Sequence, residues 1–274
     1  MVLADSLHYR CTPRGVFRNT GETPLVGDLV EITVLNEEKM EASLHTILPR
    51  KNSLTRPPAA NIDQIVVTVS VKNPAFNPGQ LDRYLILAFD ADIEVLICVN
   101  KSSGESSLFE PYKLAGFNMV YTDALNGFGL TALKEHMKGK LNLFAGPSGV
   151  GKSSLINAIN PKLGLETGIL SKKTSRGKHT TRHTEIFPIY ECEYETPLLH
   201  GFCFDTPGFS ALDFSHIKKE NLGALFKEFL PYNHLCKFTN CKHIKEIDCA
   251  VKEQIGKTIH KLRYESYVKI YESL

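Results

Sequence analysis

The sequence predicts an α/β protein in which a doubly wound parallel sheet lies between a small all-β unit and a cysteine-rich helical unit. From about residue 63, apolar runs of strand length alternate with helical patterns, which is typical of a parallel sheet covered on both faces. The preceding residues instead carry short apolar runs separated by turn residues. Three of the seven cysteines cluster near the C-terminus. We therefore expect three units, at residues 1–62, 63–214 and 215–274.

Composition limits the classes of protein that need considering. The chain has 274 residues, of which 42% are hydrophobic and 23% charged, as in ordinary globular proteins. Its net charge of +2 argues against a protein that wraps a polyanion, so any contact with nucleic acid must be local. No apolar run reaches the length of a membrane span, and the first residues lack the pattern of a signal peptide. We expect a cytoplasmic monomer without a membrane partner.

The first unit reads as a small barrel or sandwich. Apolar runs at residues 24–34 and 42–48 are divided by turn signals, and neither has helical spacing. Arginines and lysines are scattered among a similar number of acids, so a solvated face and a nucleic-acid groove both remain open. Residues 49–60 are basic and rich in proline, and we expect a linker there.

The second unit alternates between strands and helices. Strands are predicted at residues 65–71, 93–99, 118–122, 141–145 and 201–204, and helices at residues 81–91, 109–116 and 130–136. In doubly wound sheets, ligands bind at the carboxyl ends of the strands. The residues that directly follow each strand are therefore the candidates for chemistry.

A phosphate-binding loop follows the strand at residues 141–145. The spacing is G-x-x-x-x-G-K-S, and a short helical stretch comes next. Glycines let backbone N–H groups approach phosphate oxygens, Lys152 reaches the β- and γ-phosphates, and Ser153 offers its hydroxyl to Mg²⁺. We expect a nucleoside triphosphate to contact Gly146, Pro147, Ser148, Gly149, Val150, Gly151, Lys152, Ser153 and Ser154.

Three other strand ends carry motifs of nucleotide-binding G domains. Asn100-Lys101 begins like N-K-x-D, Asp123-Ala124 occupies the place of S-A-K, and Asp205 opens the D-x-x-G that ends at Gly208. G domains run from the phosphate loop through D-x-x-G to N-K-x-D, whereas here N-K comes first. Cutting the same sheet at a different loop gives this order. The sequence therefore predicts a circularly permuted G domain.

With these motifs, Gly177–Thr181 and the cysteine cluster, the chain resembles the RsgA/YjeQ family of small-ribosomal-subunit-dependent GTPases over essentially its full length. The resemblance implies an RNA-contacting OB-fold at residues 1–62, a circularly permuted P-loop GTPase domain at 63–214 and a helical zinc-binding domain at 215–274. It implies binding of GTP and GDP with Mg²⁺, and a late assembly checkpoint on the small (30S) subunit whose rRNA it contacts. The subunit is expected to stimulate hydrolysis. Two alternatives remain: a nucleotide-gated rRNA-binding protein with vestigial hydrolysis, and a P-loop phosphotransferase.

The switch motifs assign roles in hydrolysis. Thr181 is expected to bind Mg²⁺ together with Ser153 and Asp205, although Thr180 remains an alternative. Ras-like proteins orient the attacking water with a glutamine directly after D-x-x-G. Phe209 stands there and cannot hydrogen-bond, so unaided hydrolysis should be slow. The resemblance makes His179 the candidate for this role beside Lys152 and Thr181, while a histidine without a role stays equally open.

The base pocket departs from the family pattern. The last residue of N-K-x-D accepts two hydrogen bonds from guanine, and Ser103, with a single uncharged hydroxyl, cannot reproduce that bidentate acceptor. Asp123 replaces the serine of S-A-K, and Glu105 lies two residues beyond Ser103. Either carboxylate is a candidate substitute. We still expect GTP, contacted by Asn100, Lys101, Ser103, Asp123 and Ala124.

The third unit carries a predicted metal site. Cys236, Cys241, His243 and Cys249 have the spacing C-x4-C-x-H-x5-C, which supplies a closed tetrahedral set for one structural Zn²⁺. His234 is an alternative to His243, and the family resemblance favours His243. Residues 251–274 are predicted to form one basic helix, which is either solvated or rRNA-facing.

Overall fold

The computed structural model of the chain describes residues 1–4, 7–13, 17, 23–55, 57–165, 185–189, 201–205 and 214–274. Among these residues, the N-terminal unit contains the strands β1 (Val2–Ala4), β2 (Leu7–Pro13), β3 (Val30–Asn36) and β4 (Glu41–Ile47). They form one sheet in the order β1-β2-β4-β3, in which β2 and β4 are parallel and the other pairs antiparallel. This confirms the predicted small all-β unit.

The segment expected to be a linker is instead packed and hydrogen-bonded. It contains β5 (Ser53–Leu54) paired with β6 (Ala59–Ala60), and both alanines are fully buried. The Asn52 side chain bonds the backbone of Ile62 in both directions, at 2.9 Å each. Arg50 forms an ion pair with Asp28 at 2.7 Å. A basic residue of this stretch, Arg50, therefore fastens it to the rest of the first unit through Asp28.

Within the described part of the chain, six strands form the central sheet: β7 (Gln64–Ser70), β8 (Glu94–Asn100), β9 (Asn118–Tyr121), β10 (Leu141–Ala145), β11 (Glu185–Pro188) and β12 (Phe202–Asp205). Their order is β11-β12-β10-β7-β8-β9. All neighbours are parallel except β11 and β12, and the sequence analysis did not predict β11. Every residue of β7 is buried, as expected for a strand covered on both faces.

Helices cover both faces of this sheet. They are α1 (Pro78–Asp90), α2 (Glu110–Leu114), α3 (Leu130–Met137) and α4 (Lys152–Ile159). Because β7 is pleated, Val67 packs in one apolar layer with α1 and Val66 in the other layer with α3 and α4. The predicted doubly wound sheet is confirmed, and its element boundaries lie within three residues of those expected.

The C-terminal unit contains α5 (Leu230–Asn233), α6 (Ala250–Glu253) and α7 (Lys261–Ser273), besides short 3₁₀ turns. Its apolar core includes Ile86 of α1, so the unit packs directly on the central domain. The single helix predicted over 251–274 is wrong. The chain breaks at Gly256, whose φ of 81° is left-handed, and the imidazole of His260 caps α7 by accepting from Leu262 N.

Candidate nucleotide site and metal centre

The predicted phosphate loop connects β10 to α4, as its motif requires. Gly146 has a φ of 136°, and a Cβ there would lie 2.1 Å from the carbonyl oxygen of Thr68. Gly151 has a φ of 95°, and a Cβ there would lie 2.5 Å from Nδ2 of Asn100. Glycine is therefore required at both positions by backbone conformation and by close packing. Ser153 and Ser154 lie in the first turn of α4, where backbone N–H groups favour an anion.

Lys152 lies across the phosphate loop. Its Nζ donates hydrogen bonds to the carbonyl oxygens of Gly146, at 2.7 Å, and Pro147, at 2.8 Å. Burial lowers the pKa of Lys152 to about 8, since two neutral carbonyls do not compensate a desolvated charge. A bound triphosphate would supply that compensation. The lysine is thus already placed at the phosphate loop.

Asn100 joins three of the predicted motifs. Its side chain is buried, and Nδ2 donates to the carbonyl oxygen of Val150 in the phosphate loop at 2.8 Å. Its Oδ1 accepts from Ala124 N and from Thr122 Oγ1, each at 3.3 Å. The loops after β8, β9 and β10 are therefore fastened to one amide. This amide brings together the predicted base-binding and phosphate-binding residues.

Lys101 lies against the outside of the same loop. Its Nζ donates to the carbonyl oxygens of Gly149, at 2.7 Å, and Asn73, at 2.5 Å. The sequence analysis missed Asn73 as a contributor to this site. Its position after β7 was the available signal, because that strand ends at the same sheet edge.

The residues predicted to recognise the base differ in exposure and in their hydrogen-bond partners. Ser103 is exposed and lies in the loop after β8. Glu105 is also exposed and forms an ion pair with Lys113 at 3.3 Å. Asp123 is half-buried, and its carboxylate accepts from Leu125 N at 2.9 Å and from Asn126 Nδ2 at 3.1 Å. Of the two carboxylates, Asp123 is the one that borders Ala124 and hence Asn100.

The switch residues Thr181, His179, Gly208 and Phe209 lie outside the described residues, as does the alternative Thr180. Asp205 ends β12, which pairs in parallel with β10. Its backbone therefore reaches the same edge of the sheet as the phosphate loop, as the D-x-x-G prediction requires.

The predicted metal ligands are close together. Nδ1 of His243 lies 3.3 Å from Sγ of Cys249 and 3.6 Å from Sγ of Cys236, and these two sulfurs are 3.9 Å apart. With Cys241 included, all four ligand atoms fall within 4.8 Å of one another. A disulfide needs about 2.0 Å between sulfurs. Tetrahedral Zn²⁺ needs about 3.8 Å between sulfurs and about 3.5 Å between sulfur and nitrogen. The cluster could therefore hold a metal ion.

Neighbouring groups hold these ligands in place. The Glu246 carboxylate accepts from the backbone N–H groups of Lys242, Ile244 and Lys245, at 2.7 to 3.1 Å. Partial burial raises the pKa of Glu246, but these hydrogen bonds lower it by a larger amount. The pKa of Glu246 is therefore lowered overall. Exposed His234 is not in the cluster, which leaves His243 as the nitrogen ligand. The sequence analysis missed Glu246, whose carboxylate lies three residues after the ligand His243.

Family models and similar proteins of known family all point to the same family. Residues 47–215 match the model of the RsgA GTPase family, and residues 1–40 match that of the RsgA N-terminal domain. A protein of Caldanaerobacter subterraneus subsp. tengcongensis named small ribosomal subunit biogenesis GTPase RsgA is 41% identical over 266 residues, which cover 95% of this chain and 86% of the relative. The protein of the same name from Agathobacter rectalis is 41% identical over 272 residues, covering 97% and 87%.

Two solved structures share the fold. The crystal structure of YjeQ from Thermotoga maritima superposes with a TM-score of 0.79 at 36% identity, over 96% of this chain and 89% of that one. YloQ, described as a circularly permuted GTPase, gives a TM-score of 0.77 at 34% identity, over 97% and 85%. Among the described residues, no helix is long and apolar enough to cross a bilayer.

Proposed function

We propose that this chain, which belongs to the RsgA GTPase family, hydrolyses GTP on the small (30S) ribosomal subunit and is stimulated by that subunit. A GTPase acting in small-subunit biogenesis is what the names of its relatives state. One observation carries the assignment to this chain. The Asn100 amide ties the N-K loop and the Asp123-Ala124 loop to the phosphate loop, which supports a single nucleotide site built from the three motifs.

The sequence motifs supply candidate residues for the triphosphate and for its metal ion. We assign phosphate contacts to the loop backbone and Lys152, and Mg²⁺ contacts to Ser153, Thr181 and Asp205. Hydroxyl and carboxylate oxygens are the donors that Mg²⁺ prefers. A Mg²⁺ ion held by these residues would neutralise charge on the β- and γ-phosphates. Lys152 adds a second positive charge from within the protein, and its hydrogen-bond partners among the described residues are the neutral carbonyls of Gly146 and Pro147.

Hydrolysis is expected to depend on the partner. Phe209 offers no hydrogen bond to the attacking water, so we assign that role to His179. A loop that orients this histidine only on the ribosome would make the subunit the activator. On this basis the chain acts as a late assembly checkpoint, because hydrolysis reports contact with a subunit that presents the right surface.

The flanking units supply surfaces for rRNA. We assign one to residues 1–62 and one to the C-terminal unit, which exposes Phe238 and Lys245. An exposed aromatic ring stacks on unpaired bases, and lysines contact phosphates. We take the metal to be one structural Zn²⁺, because three sulfurs and one imidazole nitrogen leave no open position. The protein is expected to act as a monomer in the cytoplasm.

Multiple-turnover GTP hydrolysis with and without purified 30S subunits tests the proposal. We expect slow hydrolysis alone, strong stimulation by the subunit, and loss of both rates in Lys152→Ala. Retained GTP binding without stimulation would instead favour the nucleotide-gated rRNA-binding alternative. Transfer of phosphate to an acceptor other than water would favour a phosphotransferase.

A further inference from the structure

We propose that Asp123, on the loop after β9, reads the guanine base in place of the aspartate that N-K-x-D normally supplies after β8. This inference rests on the proposed function, because it names the specificity residue of the same nucleotide site. The family pattern puts a carboxylate on the first loop and a serine hydroxyl on the second. Here Ser103 and Asp123 stand on the opposite loops. The two side chains have exchanged places.

The structure puts these two positions at one level of the sheet edge. β8 and β9 pair in parallel, with Val99 opposite Tyr121. The ladder continues beyond the strands, since Thr122 N donates to Val99 O at 2.9 Å and Ser102 N donates to Thr122 O at 3.0 Å. Ser103 and Asp123 each come directly after the Ser102–Thr122 pair. A carboxylate moved from one loop to the other therefore stays beside the same pocket.

The loop that carries Asp123 is well defined. Asp123 N donates to Phe128 O at 2.9 Å, and Gly127 N donates to Asp123 O at 3.0 Å, which closes the turn. Ala124 N is fastened to Asn100, whose amide also holds the phosphate loop. The position of Asp123 is thus set relative to the phosphates, as base recognition requires.

The carboxylate of Asp123 retains capacity for a ligand. A carboxylate offers about four acceptor sites, and in this structure one bond from Leu125 N and one from Asn126 Nδ2 use two of them. Guanine presents two donors, N1–H and the N2 amino group, which suit the remaining two. The other candidate acid, Glu105, is exposed and paired with Lys113. The geometry therefore favours Asp123 over Glu105.

Asp123→Asn provides a test specific to hydrogen-bond direction. Xanthine has a carbonyl where guanine has its N2 amino group, so an asparagine amide can accept from N1–H and donate to that oxygen. Affinities of GTP, XTP and ATP are measured by displacement of a fluorescent GDP analogue. We expect the wild-type protein to prefer GTP. The variant should lose roughly tenfold to a hundredfold in GTP affinity and prefer XTP. Glu105→Gln, the matched carboxylate-to-amide control, should leave the GTP-to-XTP ratio unchanged.

A second pair of variants separates recognition from loop folding. Asp123→Ser should bind GTP at least tenfold more weakly, and adding Ser103→Asp should restore the affinity by returning the carboxylate to the first loop. If Asp123→Asn weakens GTP and XTP alike, or the double variant gains nothing, Asp123 only caps its loop and the inference is wrong. That result leaves the proposed function intact when the wild type still selects GTP. Equal binding of GTP and ATP by the wild type would instead contradict the guanine assignment itself.

Discussion

Arg263 of α7 forms a buried ion pair with Asp82 of α1, across 181 residues of sequence. The guanidinium is 2% exposed and also bonds both carboxylate oxygens of Glu228, at 2.6 and 3.2 Å. Burial alone lowers the pKa of Arg263, but the charges of the two carboxylates raise it overall, so the group stays protonated. The hydroxyl of Tyr84, two residues after Asp82, contacts the backbone of Gly146. This helix therefore links the C-terminal unit to the phosphate loop.

Replacing Arg263 with methionine should destabilise the protein by about 3–5 kcal/mol, because two buried carboxylates lose their cation. Urea unfolding at pH 7 measures this loss. The deficit should shrink as the pH falls toward 5, since protonation removes the uncompensated charges. Lys261→Met on the same helix is the control. Its exposed pair with Glu265, at 4.0 Å, should be worth less than about 1 kcal/mol. A loss as small for Arg263→Met would show that the buried pair is energetically neutral.

Gly151→Ala should weaken GTP binding by tenfold or more. The new Cβ would meet Nδ2 of Asn100 at 2.5 Å, so the amide must move and release the Val150 carbonyl. Gly139→Ala separates this clash from backbone strain, because Gly139 also has a positive φ, 68°, but nothing lies within 4 Å of a Cβ there. It should cost about 1–3 kcal/mol of stability and leave the GTP affinity unchanged. Displacement of a fluorescent GDP analogue measures the GTP affinity of both variants. Equal affinities for the two variants would rule out the Asn100 contact as the cause.

Binding of GTP should take up a proton at alkaline pH. Burial lowers the pKa of Lys152 to about 8 in the free protein, and bound phosphates raise it. Below about pH 7 the lysine is already charged, so no uptake is expected from it. Above pH 8 it must gain a proton on binding, and affinity should fall by up to about tenfold per pH unit. Calorimetry at pH 9 in buffers of different ionisation enthalpy detects this uptake. Buffer-independent heats at pH 9 would contradict the lowered pKa.

If the cluster holds one structural Zn²⁺ as proposed, Cys241→Ser should reduce bound zinc from one equivalent and lower the melting temperature by several degrees, since metal binding would contribute to folding of this unit. GTP affinity should change by less than about twofold, because the cluster does not touch the phosphate loop. Cys11→Ser is the control, as Cys11 lies on β2, outside the cluster. Burial, with the neighbouring Cys249 and Cys236, raises the pKa of the Cys241 thiol, so metal uptake should release protons and strengthen from pH 6 to pH 8. Metal analysis and thermal unfolding check both statements, and full zinc content in the variant would refute the site.

Local patterns in the sequence were enough to place most elements and motifs. The β-branched run of β7 predicts a strand buried on both faces, and the glycines around Lys152 predict a loop between a strand and a helix. The spacing of Cys236 to Cys249 predicts the metal cluster. Each of these signals involves neighbouring residues, whose periodicity or spacing directly reflects backbone geometry. The permuted order of motifs likewise follows from reading the chain from end to end.

Contacts between distant segments required the tertiary structure. No local pattern in the sequence pairs Asp82, Glu228 and Arg263, and the packing of α7 on α1 buries them together. The break at Gly256 and the antiparallel strand β11 also escaped prediction. The sequence shows that Ser103 departs from the N-K-x-D motif and Asp123 from the S-A-K motif. The hydrogen-bond ladder of β8 and β9 shows that their loops emerge side by side. Sequence determined which groups the site contains. Strand order decided which of them meet, because parallel strands deliver residues far apart in the chain to a single edge.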